Sequence, residues 1–432
     1  MKSIIKPLLK IAFFSPQFFL FSGISLAQSP RDYGFQVGYG YSVGTSIMKG
    51  DTMFLGGDFD YVGLYSGSLV SVDLGTAAIK TGFPVVNGTI RAMIDDGAGG
   101  YYIGGDFSEV NGYKRIGLAH ITSARTLDLA WNINVDFGSG VYALLLSLTK
   151  DTLWVGGTFN SIGGVSKDKL AAIKVSTKSV ISGWGPGLVN KNWWAPAVVS
   201  ALAYYPADMS LAGDAPRLII GGDFSGFNWT DTKSSLAALD PKTGTLIKGW
   251  KADITPTNST TTFIPVGPAV RSLMVDEMDH RFLYIGGLFD GITDKNGTVN
   301  IHSLAKMDVL FDSLAKLFSP DLKPQNDSGI VDCIKLLKDG PFYELGVAGK
   351  FRSVGTYQVQ NFTYLSKDFG TPIHYGSNWS NYLNASVVDT TLIPGQYAMG
   401  EIFTFDTIGT NIILGGDFEG IKGSANTVNV RR

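Results

Sequence analysis

The sequence predicts an all-β protein, namely a seven-bladed β-propeller with four antiparallel strands in each blade. Three observations support this fold class: a Gly-Gly-x-Phe motif recurs along the chain, similar apolar runs surround each copy, and the composition suits short strands joined by turns. Glycine accounts for 54 of the 432 residues, aromatic residues for 12% and charged residues for 17%. An average soluble domain has about 25% charged residues, so this chain is unusually rich in turn-forming and apolar residues.

The motif occurs seven times, six times as Gly-Gly-x-Phe and once as Ala-Gly-Lys-Phe, at intervals of 48 to 67 residues. Its phenylalanines are Phe59, Phe107, Phe159, Phe224, Phe289, Phe351 and Phe418. A catalytic turn is expected once in a domain, whereas a motif that recurs at this period indicates an array or a propeller. We therefore interpret the motif as architecture, and we number the repeats one to seven by these phenylalanines.

Each repeat has the pattern of four short strands. An alternating apolar run such as Val141–Leu146 comes first, and a second apolar strand ends in the two glycines. A loop and a third apolar run follow the phenylalanine, and an aromatic residue such as Trp131 or Trp184 marks the fourth element. No long stretch has the spacing of an amphipathic helix, which excludes helical repeats of similar period.

The two ends of the chain are expected to meet. In the seventh repeat the first strand is predicted near Met399–Phe405, the second at Ile412–Gly416 and the third at Thr427–Arg431, with no fourth. The segment Asp32–Tyr39 precedes the first repeat and contains an aromatic residue, Phe35. We expect this N-terminal strand to complete the last blade and close the ring, because pairing removes an exposed sheet edge.

Residues 1–27 have the pattern of a secretory signal peptide: lysines, then an apolar stretch, then small residues that end at Ala27. A membrane anchor is the alternative, but the apolar run is short and is interrupted by Pro16 and Gln17. No later segment is long and apolar enough to span a membrane as a helix. We predict that residues 28–432 form a single propeller that is secreted, periplasmic or on the outer cell surface.

The run from Gly104 to Trp131, which reads GGDFSEVNGYKRIGLAHITSARTLDLAW, resembles the bacterial delta-60 repeat. Weaker versions of this run cover nearly all of the chain after residue 27, and the sixth repeat departs most, with Ala348 and Lys350 in its motif. The delta-60 repeat is a propeller-repeat family of secreted and surface proteins without an assigned general activity. The resemblance implies a propeller in an extracytoplasmic setting, and it implies no catalytic residue.

The third position of the motif argues against a catalytic acid. It holds Asp58, Asp106, Asp223 and Asp417 in four repeats, but Thr158, Leu288 and Lys350 in the others. We interpret the aspartates as turn caps that bond to their own backbone, and a bound calcium ion is the weaker alternative. The glycines are expected to permit close backbone approach, and the phenylalanine to wedge between blades.

Other classes of function find little support in the sequence. A net charge of −2 without a basic cluster predicts no binding to nucleic acid. The four histidines show no pair at metal-ligand spacing, so neither a metal nor a cofactor is expected. No nucleophile or phosphate-binding motif appears, and the adjacent acids Asp95–Asp96 and Asp276–Glu277 suit solvated turns.

Long insertions indicate where a ligand would bind. They occupy 187–196, 253–267, 290–300 and 380–396, and all belong to the two loop types that share one face of a propeller. Trp193, Trp194 and Trp229 belong to this face and are the candidate ligand-binding residues. The leading hypothesis is a non-catalytic module that binds a protein or a glycan. Two alternatives stay open: the tryptophans pack the loops down, or the chain is a glycan-acting hydrolase or lyase with carboxylates at the central channel.

Overall fold

The computed structural model describes residues 84–189, 197–207, 214–256, 269–320, 329–339, 342–351 and 361–372, with separate strands between residues 35 and 80 and between residues 322 and 429. Every regular element in these residues is a β-strand, and the strands pair antiparallel. The predicted all-β class is therefore confirmed for the described part of the chain. Within that part, no helix is long and apolar enough to cross a membrane.

The strands follow the repeats. The first repeat has β1 (Phe35–Val37), β2 (Ser42–Lys49), β3 (Thr52–Asp58), β4 (Val62–Leu64), β5 (Ser71–Val72) and β6 (Ile79–Lys80). The second has β7 (Val86–Asp95), β8 (Tyr101–Val110), β9 (Tyr113–Lys114) and β10 (Leu118–Ile121). The third has β11 (Val141–Leu146), β12 (Thr152–Gly157), β13 (Ser161–Ile162), β14 (Val165–Ser166), β15 (Leu170–Lys174) and β16 (Ser179–Val180). The fourth has β17 (Leu188–Val189), β18 (Val198–Tyr205), β19 (Arg217–Asp223), β20 (Gly226–Phe227), β21 (Asp231–Thr232) and β22 (Leu236–Leu239).

The remaining strands continue this order. The fifth repeat has β23 (Asp253–Pro256), β24 (Val270–Val275), β25 (Phe282–Gly287), β26 (Phe289–Asp294), β27 (Gly297–Asn300), β28 (Leu304–Asp308) and β29 (Ser313–Leu314). The sixth has β30 (Leu322–Lys323), β31 (Ile330–Asp339), β32 (Phe342–Lys350), β33 (Ser353–Val354), β34 (Tyr357–Gln358) and β35 (Phe362–Leu365). The seventh has β36 (Ser386–Val388), β37 (Glu401–Ile408), β38 (Asn411–Asp417), β39 (Gly420–Lys422) and β40 (Thr427–Asn429).

Each repeat has a main sheet whose strands lie side by side in chain order. Complete examples are β11-β12-β15-β16 and β24-β25-β28-β29, and the first two strands pair in all seven repeats. Fourth strands are short, and a single bridge such as Leu239 to Leu246 replaces them in three repeats. The first strands of repeats two to seven contact one another in succession. A succession of four-stranded meanders with adjacent first strands is the blade arrangement of a β-propeller.

A second, smaller sheet forms where the chain enters each repeat. The segment that leads into the first strand, which we call the linker strand, pairs with the hairpin that follows the motif phenylalanine. In five repeats the pairs are β1 with β4, β17 with β20, β23 with β26, β30 with β33 and β36 with β39. In the second and third repeats the equivalent pairs are Val86 with Val110 and Val135 with Ile162. The two loop types therefore meet at one end of the main sheets, as predicted. We call this the motif end.

The structure contradicts two predictions about the ends of the chain. Phe35–Val37 pairs with Val62–Leu64, so the N-terminal strand serves as the linker strand of the first repeat. Thr427–Asn429 pairs with Gly420–Lys422 in the hairpin position that β14 and β27 hold elsewhere, so its prediction as a third strand is wrong. Among the described residues, no strand of the first repeat pairs with a strand of the seventh.

The two motif glycines have different neighbours. In four repeats, a Cβ on the first glycine would press on a valine of the next repeat's first strand, as for Gly156, where Val199 Cγ1 would be 2.6 Å away. A Cβ on the second glycine would overlap a carbonyl at the start of its own repeat's first strand, as for Gly157 and Gly140 O. That strand has a register shift beside the motif in all seven repeats. The glycines thus permit the close approach that the β-bulge and the neighbouring repeat require.

The motif phenylalanines pack against the preceding repeat. Phe107, Phe159, Phe224, Phe289 and Phe351 are all buried. Four of them share a core with an aromatic residue of the repeat before: Phe159 with Trp131, Phe224 with Trp184, Phe289 with Trp250, and Phe351 with Phe318. At these four positions the phenylalanine thus lies in a core shared by two repeats, while Phe59 and Phe418 lie outside the described residues. These aromatic partners follow the fourth strand rather than lying in it, as Trp184 follows β16.

The second motif glycine offers a direct test of this packing. We expect Gly157→Ala to lower the free energy of unfolding by about 1 to 3 kcal/mol, because a backbone carbonyl cannot move aside as a side chain can. Urea-induced unfolding measures the change. Gly183→Ala is the matched control, because a Cβ there meets no atom within 4 Å. Equal effects of the two substitutions would contradict the assigned role.

Candidate functional site

The motif end of the fourth repeat presents an exposed tryptophan on a tight turn. The hairpin of β20 and β21 turns at Phe227–Thr230, and the Thr230 N–H donates a hydrogen bond of 3.1 Å to Phe227 O. The two central residues, Asn228 and Trp229, have φ values of 47° and 63°. Positive φ at both central positions is the pattern of a type I′ turn. The Trp229 side chain is 70% exposed, so the turn holds a large apolar ring in solvent.

The turns at the same place in the second and third repeats show how unusual Trp229 is. The second repeat turns at Asn111 and Gly112, and the third at Gly163 and Gly164, again with positive φ at both positions. Both place glycine where the fourth repeat has Trp229. A residue with a Cβ is strained in this region of φ, and a bulky residue is seldom found there. The fourth repeat therefore keeps Trp229 at a cost in stability that the second and third repeats avoid.

The base of this turn is firmly held. The Asn228 N–H donates to Gly187 O of the linker strand at 2.8 Å, and Phe227 pairs with Leu188. The Phe227 ring is fully buried and meets the Phe224 ring edge-on, with centroids 5.8 Å apart. An exposed ring on a rigid base loses little conformational entropy when a ligand covers it, which suits a contact residue.

A second exposed aromatic residue lies at the motif end of the third repeat. Phe137, in the linker between β10 and β11, is 87% exposed. It follows Asp136, whose Oδ1 accepts the N–H groups of Asn160 and Ser161 at 2.8 and 2.9 Å and whose Oδ2 accepts the Ser139 hydroxyl at 2.8 Å. The turn that carries Phe137 is thus fixed to the hairpin of its own repeat.

Hydrogen bonding explains the titration expected for Asp136. Burial of the carboxylate raises its pKa, but the N–H groups of Ser161 and Asn160 and the Ser139 hydroxyl together outweigh this. The pKa therefore lies below the ordinary value of 3.8. Phe137 was not among the candidate residues from sequence. The sequence signal that would have identified it is a phenylalanine between an aspartate and a glycine. In the structure that glycine, Gly138, has a φ of 82°.

The structure describes one of the three tryptophans that are predicted to bind a ligand. Trp229 is described and is 70% exposed, which favours the prediction that it contacts a ligand. Trp193 and Trp194 lie outside the described residues, and their role stays a prediction. The structure therefore brings no second tryptophan to Trp229 in the part of the chain that it describes.

The aspartate at the third motif position does not act as predicted in the second repeat. Asp106 pairs with the Arg91 guanidinium, which comes from the bulged position of the first strand. The same guanidinium lies 4.8 Å from the centre of the Tyr142 ring in the third repeat. Asp106 thus joins two repeats rather than capping its own turn. In the third repeat, the Thr158 hydroxyl oxygen accepts the Gly140 N–H at 2.9 Å.

The acids that follow the first strands do cap turns. Asp96 Oδ1 accepts the N–H groups of Ala98 and Gly100 at 2.6 and 2.8 Å, and Asp276 Oδ1 accepts that of Met278 at 2.9 Å. Asp276 is fully buried, so its prediction as a solvated residue is wrong. His120 lies between two carboxylates, with Nε2 3.0 Å from Asp96 Oδ2. These bonds support a structural role, and no group of potential metal ligands occurs among the described residues.

Comparisons with known proteins give no family. No protein-family model matches the chain, and no curated protein matches it. Among solved structures, the extracellular domain of a hybrid two-component system from B. thetaiotaomicron is similar over 91% of this chain, with 13% identity and a TM-score of 0.34. This chain spans 46% of that one. The Dos1 propeller is similar over 78% of this chain and 81% of its own length, with 10% identity and a TM-score of 0.33. Because both TM-scores are low, the fold rests on the strand pairing described above.

Strain at Trp229 leads to a stability prediction. We expect Trp229→Gly to raise the free energy of unfolding by about 0.5 to 1 kcal/mol, because glycine adopts positive φ without a steric cost. Thr230→Gly is the matched control in the same turn and should lower stability, because residue 230 has no positive φ. Denaturant titration of the two variants gives the sign. A loss of stability in Trp229→Gly would show that the ring contributes to packing.

The bonds of Asp136 lead to a pH prediction. Since the folded-state pKa lies below the unfolded value, this carboxylate contributes stability that is present above the unfolded pKa and is lost as pH falls through the folded pKa. An NMR titration should place the midpoint of Asp136 below 3.8. Ser139→Ala should raise the midpoint, because it removes a donor. A wild-type midpoint at or above 3.8 would refute the assignment.

Proposed function

We propose that the chain is an exported, seven-bladed propeller of the delta-60 repeat type whose motif end binds a protein or a glycan without catalysis. The observation that carries the binding is Trp229, which is exposed and held at a positive φ where the second and third repeats use glycine. Strained residues persist where they serve a function, and an exposed tryptophan is a frequent contact at binding surfaces.

Seven blades are supported by the seven paired hairpins and by the successive contacts of the first strands. Closure of the ring would bring the first and seventh repeats together, and every main sheet would then have a neighbour on both sides. Export is supported by the signal-like residues 1–27 and by the resemblance to surface proteins.

The binding surface centres on the third and fourth repeats. Phe137 and Trp229 are both exposed at the motif ends of these neighbouring repeats. In sequence, Trp193 and Trp194 fall in the linker of the fourth repeat, at the place that Phe137 takes in the third. We propose all four as contacts. Nucleic acid is not proposed as a ligand, because the chain has a net charge of −2.

Screening of residues 28–432 against a glycan array and against surface-protein extracts tests this function. For a ligand that binds, Trp229→Gly should weaken the affinity about tenfold or more, because hot-spot residues contribute about 2 kcal/mol or more. The variant is informative because it should also be at least as stable as the wild type. Loss of binding then reports the ring itself.

The control is Phe369→Ala, which removes a half-exposed aromatic residue from the turn after β35, at the opposite end of the sheets. Its affinity should match that of the wild type. Unchanged affinity in Trp229→Gly, or the absence of any glycan or protein ligand, would count against a binding role for the motif end.

A further inference from the structure

Three successive repeats bury a cationic side chain just before the third strand. Arg115, Lys167 and Lys233 are 4%, 8% and 8% exposed. Each donates hydrogen bonds to carbonyl oxygens in the segment around the tryptophan that follows the fourth strand. A buried ammonium group is costly unless its N–H groups have acceptors, so the acceptors of each cation can be compared.

In the fourth repeat, Lys233 has a complete set of acceptors. Its Nζ donates to Trp250 O at 2.9 Å and to Ala252 O at 3.1 Å, and it lies 3.5 Å from Asp253 Oδ2. The other carboxylate oxygen of Asp253 accepts the N–H of Ser234 at 2.9 Å. Asp253 therefore provides both a counter-charge for the buried lysine and an acceptor for the backbone.

An amide holds the same place beside Arg115 of the second repeat, in the linker strand that leads into the third repeat. Asn134 Oδ1 accepts the N–H of Ile116 at 2.7 Å, as Asp253 accepts that of Ser234. Two repeats thus place a side-chain oxygen at this position of the linker strand, next to the buried cation.

Beside Lys167 of the third repeat, this position is a glycine, Gly187, in the linker strand that leads into the fourth repeat. Strand pairing shows that Gly187 and Asp253 are equivalent positions. Leu188 pairs with Phe227 in one linker strand and Ile254 pairs with Ile292 in the next, and Gly187 and Asp253 are the residues just before. Gly187 has a φ of 65°, and a Cβ there would overlap the Asn228 side chain. This linker strand therefore has no acidic side chain beside Lys167, and the Asn228 side chain occupies the space where a Cβ would lie.

The missing side chain leaves two donors without an acceptor. Lys167 Nζ donates to Ser182 O at 2.6 Å and to Trp184 O, which accounts for two of its three N–H groups. The N–H of Asp168, equivalent to that of Ser234, has no acceptor among the described residues. Both residues line a cavity of about 140 Å³ whose wall also includes Ser166 and the segment 185–187.

We propose that this cavity is a binding site for a small organic carboxylate. One carboxylate oxygen takes the third N–H of Lys167 and the other takes the backbone N–H of Asp168, as Asp253 does for Lys233 and Ser234. The ligand supplies the counter-charge that the third repeat lacks, and it stabilises the junction of the third and fourth repeats.

Several properties of the cavity fit this ligand. Burial lowers the pKa of the Lys167 ammonium group, so a nearby negative charge is favourable there. The Asp168 side chain is exposed, and solvent weakens its repulsion of a bound anion. Since a water molecule occupies about 30 Å³ of liquid, the space admits an acid of a few carbon atoms.

Binding of acetate tests the site, with ¹³C-labelled acetate observed by NMR and residues 28–432 as the protein. The wild type should bind one acetate per chain at this site. Lys167→Met should weaken binding about tenfold or more, because a hydrogen bond to a charged group contributes that much. Asp253→Gly should create a second acetate site beside Lys233, and acetate should raise the melting temperature of this variant more than that of the wild type.

Chloride at equal ionic strength is the control for a general salt effect. Equal acetate binding by the wild type and Lys167→Met would show that acetate binds adventitiously and would overturn the proposal. The absence of acetate binding to the wild type at millimolar concentration would also overturn it. If Lys167→Met does not fold, the Asp253→Gly variant tests the proposal instead. If that variant does not gain an acetate site beside Lys233, the proposal that a carboxylate ligand replaces the missing aspartate is wrong.

Discussion

The described repeats depend on one kind of contact: in four of them, the motif phenylalanine shares a buried core with an aromatic residue of the preceding repeat. A single main sheet cannot bury both of its faces, and a repeat protein gains its core where neighbours stack. Phe159 with Trp131 and Phe224 with Trp184 are such junctions, and both rings of each pair are almost fully buried. The two motif glycines serve the same junction, because they let the neighbouring first strand and its bulge approach closely. Substitutions in the motif therefore act on the contact between repeats as well as on one strand.

A structure built from equivalent junctions makes departures from the pattern informative. Trp229 takes a turn position that is glycine in the second and third repeats, and Gly187 takes a linker position that is Asp253 in the fifth. Each departure costs stability, in the first case through backbone strain and in the second through one N–H each at Lys167 and Asp168 that is unpaired among the described residues. The two departures are also close together, because the N–H of Asn228 donates to Gly187 O at 2.8 Å. The proposed contact residue and the proposed carboxylate cavity thus share one junction, between the third and fourth repeats.

Much of the fold was predictable from the sequence because its main signals are local. The alternation of β11 and the glycines that end β12 specify a hairpin without knowledge of the rest of the chain. Pairing between distant segments was less predictable. Thr427–Asn429 has a strand-like pattern, but pairing, not pattern, makes it part of a hairpin beside the motif. Asp106 was interpreted as a turn cap because its partner, Arg91, lies fifteen residues away at a bulge that the sequence does not reveal.

The candidate sites show a sharper limit of sequence reasoning. Trp229 could be proposed from its chemistry, but its significance lies in a φ of 63° that no composition or period reports. The Lys167 cavity follows from an absent side chain, and it becomes visible only when strand pairing aligns Gly187 with Asp253. A glycine-rich sequence conceals such a position, since Gly187 looks like one more turn residue among 54 glycines. In a repeat protein of this kind, the sites that distinguish one junction from another are found by comparing the hydrogen-bond partners of equivalent residues, because a buried donor that has lost its partner requires a physical explanation.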